Sequence, residues 1–399
     1  MQNAIIITIC SLLLLAYLFD ISSAFTKIPS VILLLLLGML VKVATGFLPL
    51  TMPDLNPILP ILGTIGLILI VLEGSLELEL NKSKTKVIRK SFIVALIPLM
   101  VLAIVMSIVF KLYLDVPFRT GLVNSLPFCV ISSAIAIPSV RNILSKDREF
   151  VIYESSFSDI LGVIIFNFIL LNTIFNIMSF VYFALQIIVI IVISFFSVLG
   201  LSFLLSRIKN HITYTPIILL IILIYAITKH YHLPGLVFIM VFGLFLGNFE
   251  SFKRYALIEK FRPEKLDKEV VKFKEITIEA TFLVRALFFL LFGFLLEPSE
   301  IINIQTLPWA AGIVTLILII RYITLKVSKL PVYPLQFIAP RGLITILLFI
   351  SVLPELSIPL VDISLVIQTV LISVLVMMAG LFKTTGNPIE SISKQVPEA

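Results

Sequence analysis

Cysteine and histidine are almost missing from this chain: 399 residues contain 2 Cys and 3 His. Cys10 and Cys129 fall in different apolar runs, which excludes a disulfide framework and leaves packing as their role. His211, His230 and His232 lie in loops or at the ends of apolar runs, so no cluster has the spacing of a transition-metal site. Charge is scarce too. Asp, Glu, Lys and Arg make up 13% of the residues against 60% hydrophobic ones, a balance that a water-soluble domain cannot hide from solvent. Nucleotide-binding loops, nucleophile elbows and metalloprotease signatures are absent as well, so an enzyme is not expected and no cofactor is implied.

What is present is hydrocarbon. Apolar runs of roughly 20 residues, enough to cross a bilayer, recur from end to end. The fold expected is therefore an all-α polytopic membrane protein, a single integral domain over about residues 1–385 with a short tail at 386–399. The opening run, NAIIITICSLLLLAYLF, lacks the basic flank and small-residue cleavage site of a signal sequence and reads as the first span. Thirteen spans are expected, near 3–19, 29–48, 57–75, 91–113, 120–140, 151–174, 178–206, 213–229, 233–250, 275–296, 307–325, 333–352 and 361–382.

Basic residues orient them. Lys27, the run KSKTKVIRK (82–90), Arg141 with Lys146 and Arg148, Arg207 with Lys209, the stretch Lys253 to Lys274, Lys326 with Lys329, and Lys383 occupy every second loop. The positive-inside rule then puts the N-terminus outside and the C-terminus in the cytoplasm. The net charge of +7 follows from that topology and from contact with membrane lipid, and it requires no nucleic acid. An odd count of spans also permits two six-helix halves of opposite orientation joined by a seventh, the inverted repeat of many secondary transporters.

Transporters of that design break one helix in each half near the midplane, where freed backbone groups can meet an ion. The fifth span, LPFCVISSAIAIPSV, carries Pro127 and Pro138 around Ser132 and Ser133. The twelfth, YPLQFIAPRGLITILLF, carries Pro334, Pro340 and Gly342 around Arg341. Both stand fifth in their half. Gly243 and Gly247, in GLFLG, look like a small-residue packing face.

The sixth span begins with acids in YESSFSDILGVIIFNFILL. On a helix, Ser155, Ser158, Asp159 and Gly162 share one face and Glu154 sits at its edge. An ionised carboxylate there is costly unless it meets a cation, a proton, water or a basic partner, so Asp159 marks an ion pathway. Basic residues within spans are Arg285, Arg321 and Arg341, and the acids available to them are Glu73, Glu154, Asp159 and Glu279. If Glu154 neutralises Arg321, Asp159 and Glu73 are left to bind something mobile. Oxygen donors alone suit Na⁺, K⁺, Li⁺ or H⁺.

These segments resemble a family. ESSFSD is similar to the Glu-Ser-x-x-Asn-Asp signature of the sodium/proton exchanger branch of the monovalent cation:proton antiporter superfamily, whose second acid binds the ion. VLEGSLELEL, which supplies Glu73, looks like that family's FEGGLxL-type segment; ALFFLLFGFLL resembles its aromatic helix; Arg321 ends a span as its core arginine does; and APRGLITILLF is similar to its second broken helix. The resemblance runs over nearly the whole chain. It implies electroneutral exchange of Na⁺ or K⁺ for H⁺, the two competing for Asp159 by alternating access. Ser155, Ser158, Glu73 and groups near Ser132 and Ser133 would complete the cation shell, with Glu154 and Arg321 as a structural pair and Pro138, Pro340, Arg341 and Gly342 at the broken helices.

The resemblance further implies a homodimer in a prokaryotic inner membrane. Spans 4–6 and 11–13 (about 91–175 and 307–383) would be the moving core, spans 1–3 and 8–10 (about 1–76 and 213–297) the scaffold, and 178–206 the link. Two departures stand out: Ser158 replaces the family's asparagine, and Ala136-Ile137-Pro138 replaces a Thr-Asp-Pro. The tail beyond Lys383 is too short for a regulatory domain of the kind some relatives carry. The competing expectation is a Na⁺-coupled organic-anion symporter of a related inverted-repeat fold, which requires a roomy polar cavity.

Overall fold

A computed structural model describes residues 2–26, 28–47, 57–78, 84–140, 143–173, 175–207, 214–231, 235–248 and 263–384, with Leu55 and Leu233. Lys27, Lys82, Arg141, Lys209, His211, His232, the basic stretch 249–262 and the tail expected at 386–399 lie outside the described residues. Hydrocarbon offers the backbone no partners, so these apolar runs satisfy their N–H and C=O groups internally as helices. They are α1 Gln2–Thr26, α2 Ser30–Gly46, α3 Ile58–Glu77, α4 Thr85–Leu114, α5 Phe118–Cys129, α6 Ser133–Ser139, α7 Ser145–Leu171, α8 Ile177–Arg207, α9 Thr215–His230, α10 Gly235–Gly247, α11 Pro263–Leu295, α12 Leu307–Val327, α13 Leu343–Ile350 and α14 Ile363–Thr384. Two single turns, Pro298–Ile301 and Pro354–Leu356, lie in the connections, and no strand occurs among the described residues.

Each of the thirteen expected segments holds a helix. Among the described residues eight helices, counting α5 and α6 as one interrupted unit, are long and apolar enough to cross a membrane, and shorter apolar stretches lie in the first, second, eighth and ninth segments. The twelfth differs: residues 333–342 are turns and extended chain, and only Leu343–Ile350 is helical. Pro331, Pro334 and Pro340 remove donors and restrict the residues before them, which keeps a continuous helix from running through 331–340. In the opposite sense α11 begins at Pro263, well before the apolar run at 275, because EKLDKEVVKFKE is rich in Glu and Lys, which favour helix without being apolar.

The helices pack in two groups. In one, α11 lies along α2 and α3, α10 packs on α3, α8 and α9, and α1 covers α2. In the other, α4 holds α5 and α7, α12 packs on α14 and α4, α6 lies on α7, and α13 sits against α5 and α14. Contacts between the groups are sparser and run through α3 to α13 and α7, α10 to α7, and α1 to α6. Gly243 and Gly247 let α10 approach α3 closely: a Cβ on Gly243 would lie 2.1 Å from Ser75 Oγ, and one on Gly247 2.8 Å from the Leu76 carbonyl oxygen.

Candidate functional site

Two breaks cross at the centre of the second group. α5 ends at Cys129, Val130 and Ser132 are extended, and α6 restarts at Ser133. Pro127 lies in the last turn of α5 and Pro138 inside α6, so the prolines flank this break and do not occupy it. The freed groups find partners on other elements, as buried backbone must. Ile131 N–H donates to Ser158 Oγ at 2.9 Å, and Ser132 N–H donates to the Pro340 carbonyl at 2.9 Å. From the second break, the Arg341 guanidinium donates through Nε to the Phe128 carbonyl at 2.6 Å and through Nη1 to the Ala339 carbonyl at 3.2 Å. Its backbone N–H donates to Ser373 Oγ at 3.0 Å. Gly342 makes the crossing sterically feasible, since a Cβ there would lie 2.6 Å from Ser132 Oγ and 2.8 Å from Ile135 Cδ1.

α7 carries the acids past this crossing. Gly162 brings it against the first break, where a Cβ would meet Val130 Cγ2 at 2.2 Å. Asp159, 3% exposed, accepts through Oδ2 the Ser133 N–H at 3.2 Å and the Ser133 hydroxyl. Its Oδ1 is buried and has no hydrogen-bond partner among the described residues. No Lys or Arg among the described residues forms an ion pair with it. A buried carboxylate with one oxygen unsatisfied is costly, and that oxygen is a hard donor suited to a proton or an alkali cation.

Glu154, one and a half turns earlier, is closed. Arg321 grips it with both ends of its fork, Nη1 to Oε1 at 2.6 Å and Nη2 to Oε2 at 2.8 Å, and donates through Nε to the Leu335 carbonyl at 2.7 Å. The partners are 1% and 2% exposed. The pair therefore ties α7 to α12 and to the turns before α13, with the bidentate geometry that favours arginine.

A cavity of about 880 Å³ opens between α1, α3, α6 and α11, lined by Asp20, Glu73, Glu77, Ser133, Glu279 and Arg285 among others. Asp159 does not line it, but Ser133, which bonds Asp159, does. Glu73 and the α6 start are thus brought to one water-accessible space, while Glu73 and Asp159 make no direct hydrogen bond.

The family model for the sodium/hydrogen exchanger transmembrane region matches residues 10–384. The chain belongs to the sodium/hydrogen exchanger family. As a member it is an integral membrane transporter of the cation/proton antiport class. The exchanger's fold is similar to a structure of the sodium proton antiporter MjNhaP1 from Methanocaldococcus jannaschii at pH 8, with TM-score 0.67 at 19% identity over 96% of this chain and 99% of that one. A structure of the same antiporter from a 3D EM map gives TM-score 0.72 at 18% identity over the full length of both chains. Comparison with curated proteins finds no match.

The exchanger also holds polar groups that reading the sequence misses. Arg285 has Asp20 as a neighbour, Nη2 to Oδ1 at 3.9 Å, and Ser30 Oγ donates to the same oxygen at 3.1 Å. Asp20 ends the first apolar run, which is its only signal. Of the expected cation ligands, Ser158 Oγ has one lone pair engaged by Ile131, and the Ser132 carbonyl accepts from Ala136 N–H at 2.9 Å inside the restarted helix. Ser155 donates its hydroxyl proton to the Val151 carbonyl at 2.8 Å, which leaves its lone pairs available. Ser156, not singled out by the face drawn through Ser155 and Asp159, is 3% exposed with an unpartnered hydroxyl.

Proposed function

We propose that the exchanger carries one Na⁺ or K⁺ against one H⁺, with Asp159 holding either a proton or a partly dehydrated cation and never both. The observation that carries this reading is the state of Asp159: buried, anchored by Ser133 through one oxygen and, among the described residues, unpartnered at the other and without an ion-paired basic side chain. Its charge can then be balanced only by something mobile, so the group bearing it moves only when loaded. Ser155, Glu73, Ser158 and the α6 start are the further donors of this reading. Support for electroneutrality comes from Ser158, which puts a neutral side chain beside Asp159, and from Arg321, whose guanidinium stays charged through any cycle.

In this reading α4–α7 with α12–α14 form the moving core, and α1–α3 with α9–α11 the scaffold that pairs two copies into a homodimer. The sparse contacts between the two packing groups support it. With the N-terminus outside, the large cavity faces the cytoplasm, because it lies where α3 ends and α4, with its Lys86, Arg89 and Lys90, begins. An organic-anion symporter is disfavoured by the lining, where Asp20, Glu73, Glu77 and Glu279 outnumber Arg285. The test is proteoliposomes containing the purified protein and an internal pH dye, given pulses of NaCl, KCl and LiCl. Alkalinisation or acidification driven by Na⁺ or K⁺ is expected. Lack of response to all three salts would sink the reading.

A further inference from the structure

Hydroxyl groups on the helices of this protein mostly donate to the carbonyl one turn back. Ser125, Ser155, Thr277, Thr281, Thr324 and Thr369 all do so at 2.7–2.8 Å. That arrangement uses the hydroxyl's proton within its own helix. Ser156 does not adopt it. Its Oγ is buried without a partner, three residues before Asp159 and so next to it on the same side of α7.

Where Ser156 points is fixed by α3. A Cβ built on Gly74 would lie 3.6 Å from Ser156 Oγ, so the hydroxyl faces the Gly74 backbone. Gly74 lines the large cavity, as do Glu73 beside it and Ser133 across from it on α6. Asp159 stands behind Ser133, and Ser156 stands behind Gly74. α7 therefore forms the wall at the inner end of the gap between α3 and α6. On that wall Ser156 Oγ faces Gly74 and Asp159 bonds Ser133 through Oδ2, and neither Ser156 Oγ nor Asp159 Oδ1 has a hydrogen-bond partner among the described residues.

We infer that Ser156 is a ligand of the transported cation, taking it from the Glu73 side of the cavity past Gly74 and sharing it with Asp159 Oδ1. This deepens the antiport reading and rests on it. A buried hydroxyl without a partner is unfavourable, and a bare alkali cation lacking its water needs neutral oxygen donors beside the carboxylate. Glycine at 74 leaves room for the passage: with no side chain, α3 presents only backbone between the cavity and Ser156.

The sign of the stability change separates a ligand from a structural hydroxyl. Removing a hydroxyl that bonds nothing in the protein should not weaken the fold, whereas removing a structural hydrogen bond should. In proteoliposomes, Ser156→Ala should raise the half-saturating NaCl concentration by about ten-fold while the maximal rate stays near that of wild type, the size expected for one contact to a charged partner. In detergent with choline chloride and no Na⁺, its Tm should equal or exceed that of wild type, and the rise in Tm on adding NaCl should begin at about ten-fold higher concentration. Gly74→Ala keeps the hydroxyl but sets a methyl in ordinary contact with it, and should shift the NaCl midpoint in the same direction. Unchanged NaCl midpoints in both variants would overturn the assignment. So would a Ser156→Ala protein that unfolds earlier than wild type without Na⁺ or fails to fold. Wild type that shows neither Na⁺-driven flux nor Na⁺-dependent Tm would instead refute the antiport reading beneath it.

Discussion

Glu154 and Asp159 lie five residues apart on one helix, equally buried, and the protein treats them oppositely. Around Glu154 both oxygens are engaged: a guanidinium fork takes them, and its Nε reaches a backbone carbonyl. Around Asp159 a serine takes one oxygen and nothing among the described residues takes the other. The difference is set by what faces each acid. α12 brings an arginine to the first, while the broken fifth segment brings only a backbone amide and a hydroxyl to the second. A permanent counter-charge makes a strut, and an incomplete neutral shell makes a place for a passing ion.

The largest effect expected is on Asp159. Asp159→Asn should abolish cation-driven proton movement while the protein keeps the gel-filtration profile of wild type, because an amide can neither release a proton nor balance a cation. Flux retained by that variant would remove the distinction between the two acids. On the closed side, Arg321→Ala should leave Glu154 buried and unpaired and cost about 3–5 kcal/mol, visible as a lower Tm. Glu154→Gln combined with Arg321→Met should recover most of that loss, since replacing both charges by apolar or neutral groups is often tolerated. Equal Tm for Arg321→Ala and wild type would mean that the pair is no strut.

Smaller effects sharpen the open side. Gly342→Ala pushes a methyl against Ser132 and Ile135 at the crossing of the breaks, and should cost about 1–3 kcal/mol with a slowed exchange rate. Calorimetry beside a flux assay would check it, and a silent substitution would show that the crossing can spread. Glu73→Gln should raise the half-saturating Na⁺ concentration roughly five-fold with little change in maximal rate, corresponding to about 1 kcal/mol for a charge that acts through a hydrated cavity. A collapse of the maximal rate would instead place Glu73 in the cycling machinery.

Much of the architecture was legible because hydrocarbon leaves so few choices. Apolar runs mark helices, and an acid such as Asp159 inside one stands out against its background. Legibility ended where the outcome depended on a neighbour. Proline content marked the fifth segment as interrupted, yet the break falls at Val130–Ser132, which contains no Pro or Gly, because the partners Ser158, Asp159 and Pro340 sit there. Asp20 reads as the end of a span and only the packing of α1 near α11 shows that it meets Arg285. Ser156 and Ser155 look alike in sequence. The approach of Gly74 and the orientation of one hydroxyl distinguish them.

A single cycling carboxylate fixes the number of charges that cross per cycle. Asp159 has one oxygen to offer, Ser158 beside it carries no proton to release, and Arg321 stays charged, so one cation should exchange for one proton. Purified protein in liposomes on a solid-supported membrane, or in liposomes under an imposed voltage, should show Na⁺- or K⁺-driven proton flux with no steady current and no dependence on potential. A sustained current that reverses with membrane potential would show that Glu73 or another acid also cycles a proton, and the single-carboxylate mechanism would fall.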